Sequence, residues 1–377
     1  MQLETIAWTS PRGWPAALPD LDSPSTLVVA FGDRSLEAER EPLDELLAAY
    51  PESVITGCST SGEIAGTRLC DSAVSVAIVR FERTRLVRAA ADVRVASGSA
   101  TAGSALASQL NAADLRAVFV LSDGLQVNGS DLVRGLVGGL GADVVVTGGL
   151  AGDGDRFERT WVIDNGELRA GRAVAVGFYG ESLEVGYGSQ GGWGIFGPER
   201  TVTRSEGNVL YELDGKPALA VYRRYLGDLA SGLPATALLF PLAVRSEREG
   251  EQLVRTVLAV DEEAQTMTFA GDVPQGWLAQ LMRASPGRLV DGAATAAGMS
   301  APIAANGGPT LGIAISCVGR RLVLGERTEE EIEATFESLP ERSELVGFYS
   351  YGEIAPGATG FCDLHNQTMT VTTLAER

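Results

Sequence analysis

The chain has 377 residues, 45% of them hydrophobic and 21% charged, with 49 acidic against 30 basic side chains and a formal net charge of −19. That balance repels phosphate backbones and anionic lipid surfaces, so neither a nucleic acid nor a membrane is an expected partner. Lys216 is the sole lysine and His365 the sole histidine, which excludes a phosphate-loop lysine motif and multi-histidine metal centres and leaves no cofactor or metal expected.

The length suits two domains, each able to bury a core. Cys58, Cys70, Cys317 and Cys362 are too few for a disulfide scaffold and form no CxxC pair. The N-terminus is not of the secretory type, and the longest apolar run, 235–244, is interrupted by Pro241. The expected setting is the reducing cytoplasm.

In chain order, 25–31 reads as a strand, 36–49 as a helix stopped by Pro51, and 54–56 as a short strand ending in Gly57. Strands follow over 73–81 and 86–95. Helices over 100–110 and 131–140 flank a strand at 117–121, and another strand spans 144–147. Alternation of this kind predicts layered sheets covered by helices. Beyond it the pattern turns strand-rich, with an Asn165-Gly166 hairpin signal, strands over 173–179 and 183–189, and a glycine-rich stretch over 190–198. A hinge is expected near 201–214, which divides the chain into domains 1–205 and 206–377. The second half predicts helices at 218–229, 277–284, 289–305 and 329–337. Its strands are expected at 235–244, 252–260, 266–269, 311–318, 322–324 and 344–350, with a closing hairpin in 361–374.

Gly57-Cys58-Ser59-Thr60-Ser61-Gly62-Glu63-Ile64-Ala65-Gly66 aligns without a gap on Gly347-Phe348-Tyr349-Ser350-Tyr351-Gly352-Glu353-Ile354-Ala355-Pro356. A strand and turn repeated at corresponding places suggest a mixed α/β (α+β) fold of two pseudo-duplicated layered domains with a ligand cleft between them. Small residues in such turns let backbone N–H groups approach an anion, while Ser59, Thr60 and Ser61 add hydroxyls and Glu63 a partner for a cation. The alternative is that the glycines serve a tight turn and the glutamates cap or pair structurally. The loop 148–154 is the neighbouring candidate, through Gly149, Gly152 and Asp153, because ligands gather beyond strand ends in open α/β sheets. A structural turn competes there too.

Cys58 and Cys317 are candidate thiols, and Arg320 is a candidate carboxylate clamp that could equally form a salt bridge. A hydrolase would have to use His365 as base with Cys58 or Ser61 as nucleophile, though no Gly-x-Ser-x-Gly elbow is present. Ser350 and Glu353 complete the candidate ligand set.

These turns, with Asp123-Gly124, Gly148 to Asp153, Gly188 to Gly192, Leu213 to Ala218, Ser316 to Arg320 and His365 to Thr368, occur in an order that resembles the FIST family, an N-terminal FIST domain followed by a C-terminal one. The resemblance covers nearly the whole chain. It implies an intracellular, bacterial, stand-alone sensory module that binds a small ligand such as an amino acid and acts through a signalling protein partner. A cysteine- or serine-dependent hydrolase or transferase in the same cleft, and a protein-interaction scaffold, are the alternatives.

Overall fold

The computed structural model describes residues 1–94, 98–246, 252–301, 308–357 and 360–377. The first repeat comprises β1 (Gln2–Thr9), β2 (Thr26–Gly32), helix α1 (Glu41–Ala49), β3 (Val54–Ser59), the hairpin β4 (Glu63–Ala65) and β5 (Arg68–Cys70), and β6 (Ala73–Arg80). The second comprises β7 (Arg85–Asp92), α2 (Ser99–Leu110), β8 (Leu115–Ser122), α3 (Gly129–Gly138), β9 (Val145–Leu150), the hairpin β10 (Val162–Asp164) and β11 (Glu167–Arg169), and β12 (Arg172–Tyr179).

A third repeat opens with β13 (Leu183–Gln190) and is interrupted by an insert. The insert holds β14 (Gly194–Glu206), β15 (Val209–Leu213), β16 (Lys216–Pro217), α4 (Ala218–Leu226), β17 (Leu242–Arg245), β18 (Gln252–Arg255), β19 (Val257–Asp261), β20 (Thr266–Phe269) and β21 (Leu278–Arg283). The repeat resumes with α5 (Pro286–Met299), β22 (Thr310–Cys317), α6 (Val318–Leu324), α7 (Thr328–Glu337), β23 (Ser343–Ser350), the hairpin β24 (Gly352–Pro356) and β25 (Cys362–His365), and β26 (Met369–Glu376).

Each repeat builds the same six-stranded sheet. The orders are β1-β6-β2-β3-β10-β11, β7-β12-β8-β9-β24-β25 and β13-β26-β22-β23-β4-β5. In each, one parallel pair (β2 with β3, β8 with β9, β22 with β23) is joined through helix, as a parallel crossover requires. The terminal hairpin of each sheet comes from another repeat: β4 lies on β23, β10 on β3 and β24 on β9. The hairpins are therefore exchanged in a closed cycle. The repeated Gly-Glu-Ile-Ala turns are two positions of a threefold set, and the mixed α/β expectation holds with a third copy added.

Alternation along the central strands explains how the sheets pack. Leu27, Val29 and Phe31 of β2, Ala117, Phe119 and Leu121 of β8, and Leu311, Ile313 and Ile315 of β22 occupy matching positions and meet in one central core. The opposite faces receive each repeat's own helices: Leu43 and Leu46 of α1, Leu106 and Leu132 of α2 and α3, and Ala293 and Ile332 of α5 and α7. Each fully buried aliphatic or aromatic side chain contributes about 1.5–3 kcal/mol. The insert forms an eight-stranded sheet with a separate cluster around Tyr222, Met267 and Phe269.

Several local expectations change. Within the helix expected over 277–284, Leu278–Arg283 form strand β21 between β14 and β17, because sheet pairing on both sides outweighs the helical spacing of their apolar residues. The run 235–244 splits into a 3-10 turn and β17, and the run 252–260 divides into β18 and β19. The stretch 322–324 belongs to helix α6, and the expected hinge at 201–214 is the β14–β15 hairpin. The far ends of the strand read over 86–95 and of the helix read over 289–305 lie outside the described residues. No described helix is long and apolar enough to cross a membrane.

Candidate functional site

The three glycine-rich turns converge. Ser61 N–H donates to the Tyr349 carbonyl at 2.8 Å, Gly152 N–H to the Ser59 carbonyl at 3.0 Å and Tyr351 N–H to the Leu150 carbonyl at 3.3 Å, a cyclic ring linking all three repeats. Gly57, Gly148 and Gly347 precede the ring at equivalent places, and a Cβ on any of them would overlap the carbonyl oxygen of Ala30, Val120 or Ala314 on the parallel neighbour. Glycine is required there by contact with backbone. The candidate turns thus meet, as a packed hub: Ser59, Thr60, Ser61, Gly149, Gly152, Asp153 and Ser350 are all buried.

Within the hub, Glu63 and Glu353 have matching surroundings. The Thr60 hydroxyl donates to Glu63 Oε1 and the Ser350 hydroxyl to Glu353 Oε1 (2.6 Å), in each case from three residues earlier. The other oxygen accepts from the backbone of the residue leading into the next strand, Ala73 N–H at 3.2 Å or Thr368 N–H at 3.1 Å. Burial pushes both carboxyls up to about 8. The second repeat carries Ala151 and Val162 at the equivalent positions and lacks the dyad.

Asp153 organises a loop. It accepts N–H bonds from Phe157, Glu158 and Arg159 at 2.9–3.0 Å and the Tyr351 hydroxyl, while Phe157 stacks on Tyr351 with centroids 4.7 Å apart. Arg320 is wholly buried and directs its guanidinium to Glu331 (2.7 Å) and to the carbonyls of Leu289 and Gly191, so the salt-bridge alternative describes its geometry. Cys58 sits in the central core and Cys317 at the end of β22, and burial pushes both thiols up. His365 Nε2 lies 2.9 Å from the Ala355 carbonyl, and burial lowers its pKa.

Open space lies elsewhere. A groove of about 450 Å³ runs between α3 on one side and β18, the loop leading into β21, and β25 on the other, with Val133, Val137, Leu253, Pro274 and Trp277 on its walls. Arg255 and Asp272 line it from the insert, Asp363 from β25, and Arg134 from α3. Asp272 is clasped by the first wall: Arg134 Nη2 reaches its Oδ2 at 2.6 Å, Asn128 Nδ2 its Oδ1 at 2.8 Å, and Ser130 Oγ is 3.3 Å from its N–H. Asn128 also caps α3 by accepting from Asp131 N–H, which fixes this end of the helix against the groove. None of these residues belongs to the glycine-rich turns, so motif reading passes them over. Among the described residues, no cluster of His, Cys, Asp or Glu is placed to hold a metal ion.

Models of the FIST N domain and the FIST C domain match residues 26–216 and 218–356. The chain belongs to the FIST family. FIST domains are generally signal-transduction sensory domains. The two FIST segments meet between β16 and α4, inside the insert, and the groove lies with α3 in the first and with β18 and the segment leading into β21 in the second. A crystal structure of a cyanuric acid hydrolase from A. caulinodans is similar at 11% identity and a TM-score of 0.36, over 100% of this chain and 98% of that one. No curated protein matches the sequence significantly.

Proposed function

We propose that this FIST protein is a non-catalytic sensor, acting inside the cell, that binds a small ligand of the amino-acid class in the groove between α3 and the insert. The observation that supports this most is the position of the groove: α3 of the first FIST segment and the insert of the second face each other across it, with β25 beside them, and it is open whereas the glycine-rich turns are packed. A ligand touching both walls stabilises one relative arrangement of them, and a signalling partner can read that arrangement. The four cysteines are unpaired, which suits a reducing compartment.

A thermal-shift series with amino acids, sugars and nucleotides tests the reading. One class should raise the midpoint, and Val137→Trp, which fills the groove from α3, should remove the shift. No shift with any class would sink it. For the hydrolase alternative, Cys58 is wholly buried in the central core, where burial pushes its thiol up, and the Ser61 hydroxyl accepts from Gly154 N–H at 2.9 Å. Serine- and cysteine-directed covalent probes should leave both unlabelled in the folded chain.

A further inference from the structure

We infer that Arg255 anchors the carboxylate of a small acid with an apolar body. The inference rests on the groove being the ligand site. The Arg255 side chain is 2% exposed, yet its close partners are neutral: Nε donates to the Asp272 carbonyl at 2.8 Å, and Nη1 to the carbonyls of Leu364 at 3.0 Å and Val254 at 3.3 Å. Nη2 lies 4.0 Å from Asp363 Oδ2, beyond hydrogen-bond reach, and Asp363 is 39% exposed. The Asp272 carboxylate is already engaged by Arg134 and Asn128.

Arg320 supplies the internal contrast. It is as deeply buried, and both its Nε and Nη2 engage the buried carboxylate of Glu331. A buried guanidinium ordinarily has such a partner, because charge removed from water is costly unless paired. Among the described residues Arg255 hydrogen-bonds only to carbonyls, has Asp363 at the outer limit of an ion pair, 4.0 Å away, and has an open groove beside it. Burial lowers its pKa, and the carboxylates of Asp363 and Asp272 offset that only in part.

The planar fork of arginine suits a carboxylate. Asp272 and Asp363 on the same walls disfavour a multiply charged anion such as a phosphate ester, and Asp363 offers a place for a ligand ammonium. Val133, Val137, Leu253, Pro274 and Trp277 supply apolar surface for a body of several carbons. The class is therefore a monocarboxylate with an aliphatic or aromatic body, bound more tightly when it also carries an ammonium.

Calorimetric titration of the full chain with L-leucine, 4-methylpentanoate and L-leucinamide separates the contributions. L-leucine should bind most tightly, 4-methylpentanoate next, and L-leucinamide about tenfold or more below L-leucine, since a bond to a charged group is lost. Arg255→Met should erase the difference between L-leucine and its amide, while Arg255→Lys should retain part of it; circular dichroism establishes that each variant is folded. Equal binding of acid and amide, abolished by Val137→Trp, would overturn the anchor and leave the groove as the ligand site. Binding that survives Val137→Trp, or none with any of the three probes, would overturn both.

Discussion

Glu63 and Glu353 hold equivalent positions in two different sheets, Glu63 opposite Phe348 and Glu353 opposite Gly149, each on a hairpin donated by another repeat. Their ordinary value is 4.5 and burial pushes both to about 8. Between those values the folded chain keeps protons that the unfolded chain has released. Stability is then fully present below 4.5 and falls as pH rises toward 8, by about 1.4 kcal/mol per pH unit for each group. His365, held below 6.5 by burial, acts in the opposite sense below that pH. The clearest window is pH 6.5–8, where urea midpoints should decline. Glu63→Gln or Glu353→Gln should each roughly halve the slope, and the double variant should flatten it; a wild-type profile without slope would count against buried neutral carboxyls.

The cyclic hub makes a prediction about glycine. Gly57→Ala, Gly148→Ala and Gly347→Ala each drive a methyl into a neighbouring backbone carbonyl, which cannot move without disturbing a central strand. Each should cost about 3 kcal/mol or more, to a similar extent in all three repeats. Gly298 in α5 has open space around its Cβ position, so Gly298→Ala should stabilise by about 0.5–1 kcal/mol. Chemical denaturation of the four variants measures both effects, and a tolerated Gly148→Ala would refute the equivalence of the repeats.

Much of this architecture was legible from residue order. The central strands show as β-rich apolar runs, and Gly-Glu-Ile-Ala marks two of the three turns. The third was hidden because its repeat follows Leu150 with Ala151-Gly152-Asp153 and places Val162 where the others have glutamate, after an intervening loop. A shared left-handed position before the last strand of each repeat was hidden too: it is Ser72, Gly171 and Gln367, with φ of 56°, 69° and 64°, and only one is glycine. The groove was illegible for a different reason. Arg134, Arg255, Asp272 and Asp363 become neighbours only through the placement of the insert, and each alone reads as a solvated surface charge.

Asp153 and Tyr351 tie the third repeat to the loop 153–159. Tyr351→Phe removes one donor from a buried carboxylate that retains three backbone N–H bonds, and should cost about 1–3 kcal/mol. Asp153→Ala removes the acceptor of all three and should release the loop. Hydrogen exchange at the amides of Phe157, Glu158 and Arg159 should then accelerate strongly in Asp153→Ala and modestly in Tyr351→Phe. Unchanged protection would show that these bonds do not hold the loop.

Arg320 and Glu331 decide whether the buried arginine of α6 serves structure or ligand. Both side chains are fully buried, and Glu331 Oε1 also accepts from Ser316 and Tyr349 at 3.1 and 2.7 Å. Removing one partner leaves the other charge unpaired in the interior, so Arg320→Met should cost about 3–5 kcal/mol. In Arg320→Met/Glu331→Gln the stranded charge is gone, and much of that loss should be recovered, since a buried pair adds little net stability over neutral groups of similar size. Denaturant unfolding of the two single variants and the double variant yields the coupling. A structural role predicts strong coupling and unchanged ligand affinity in the folded double variant. If the double variant is as stable as expected yet no longer binds a ligand that the wild-type chain binds, the carboxylate clamp belongs to Arg320 after all, and Arg255 loses its claim to be the anchor.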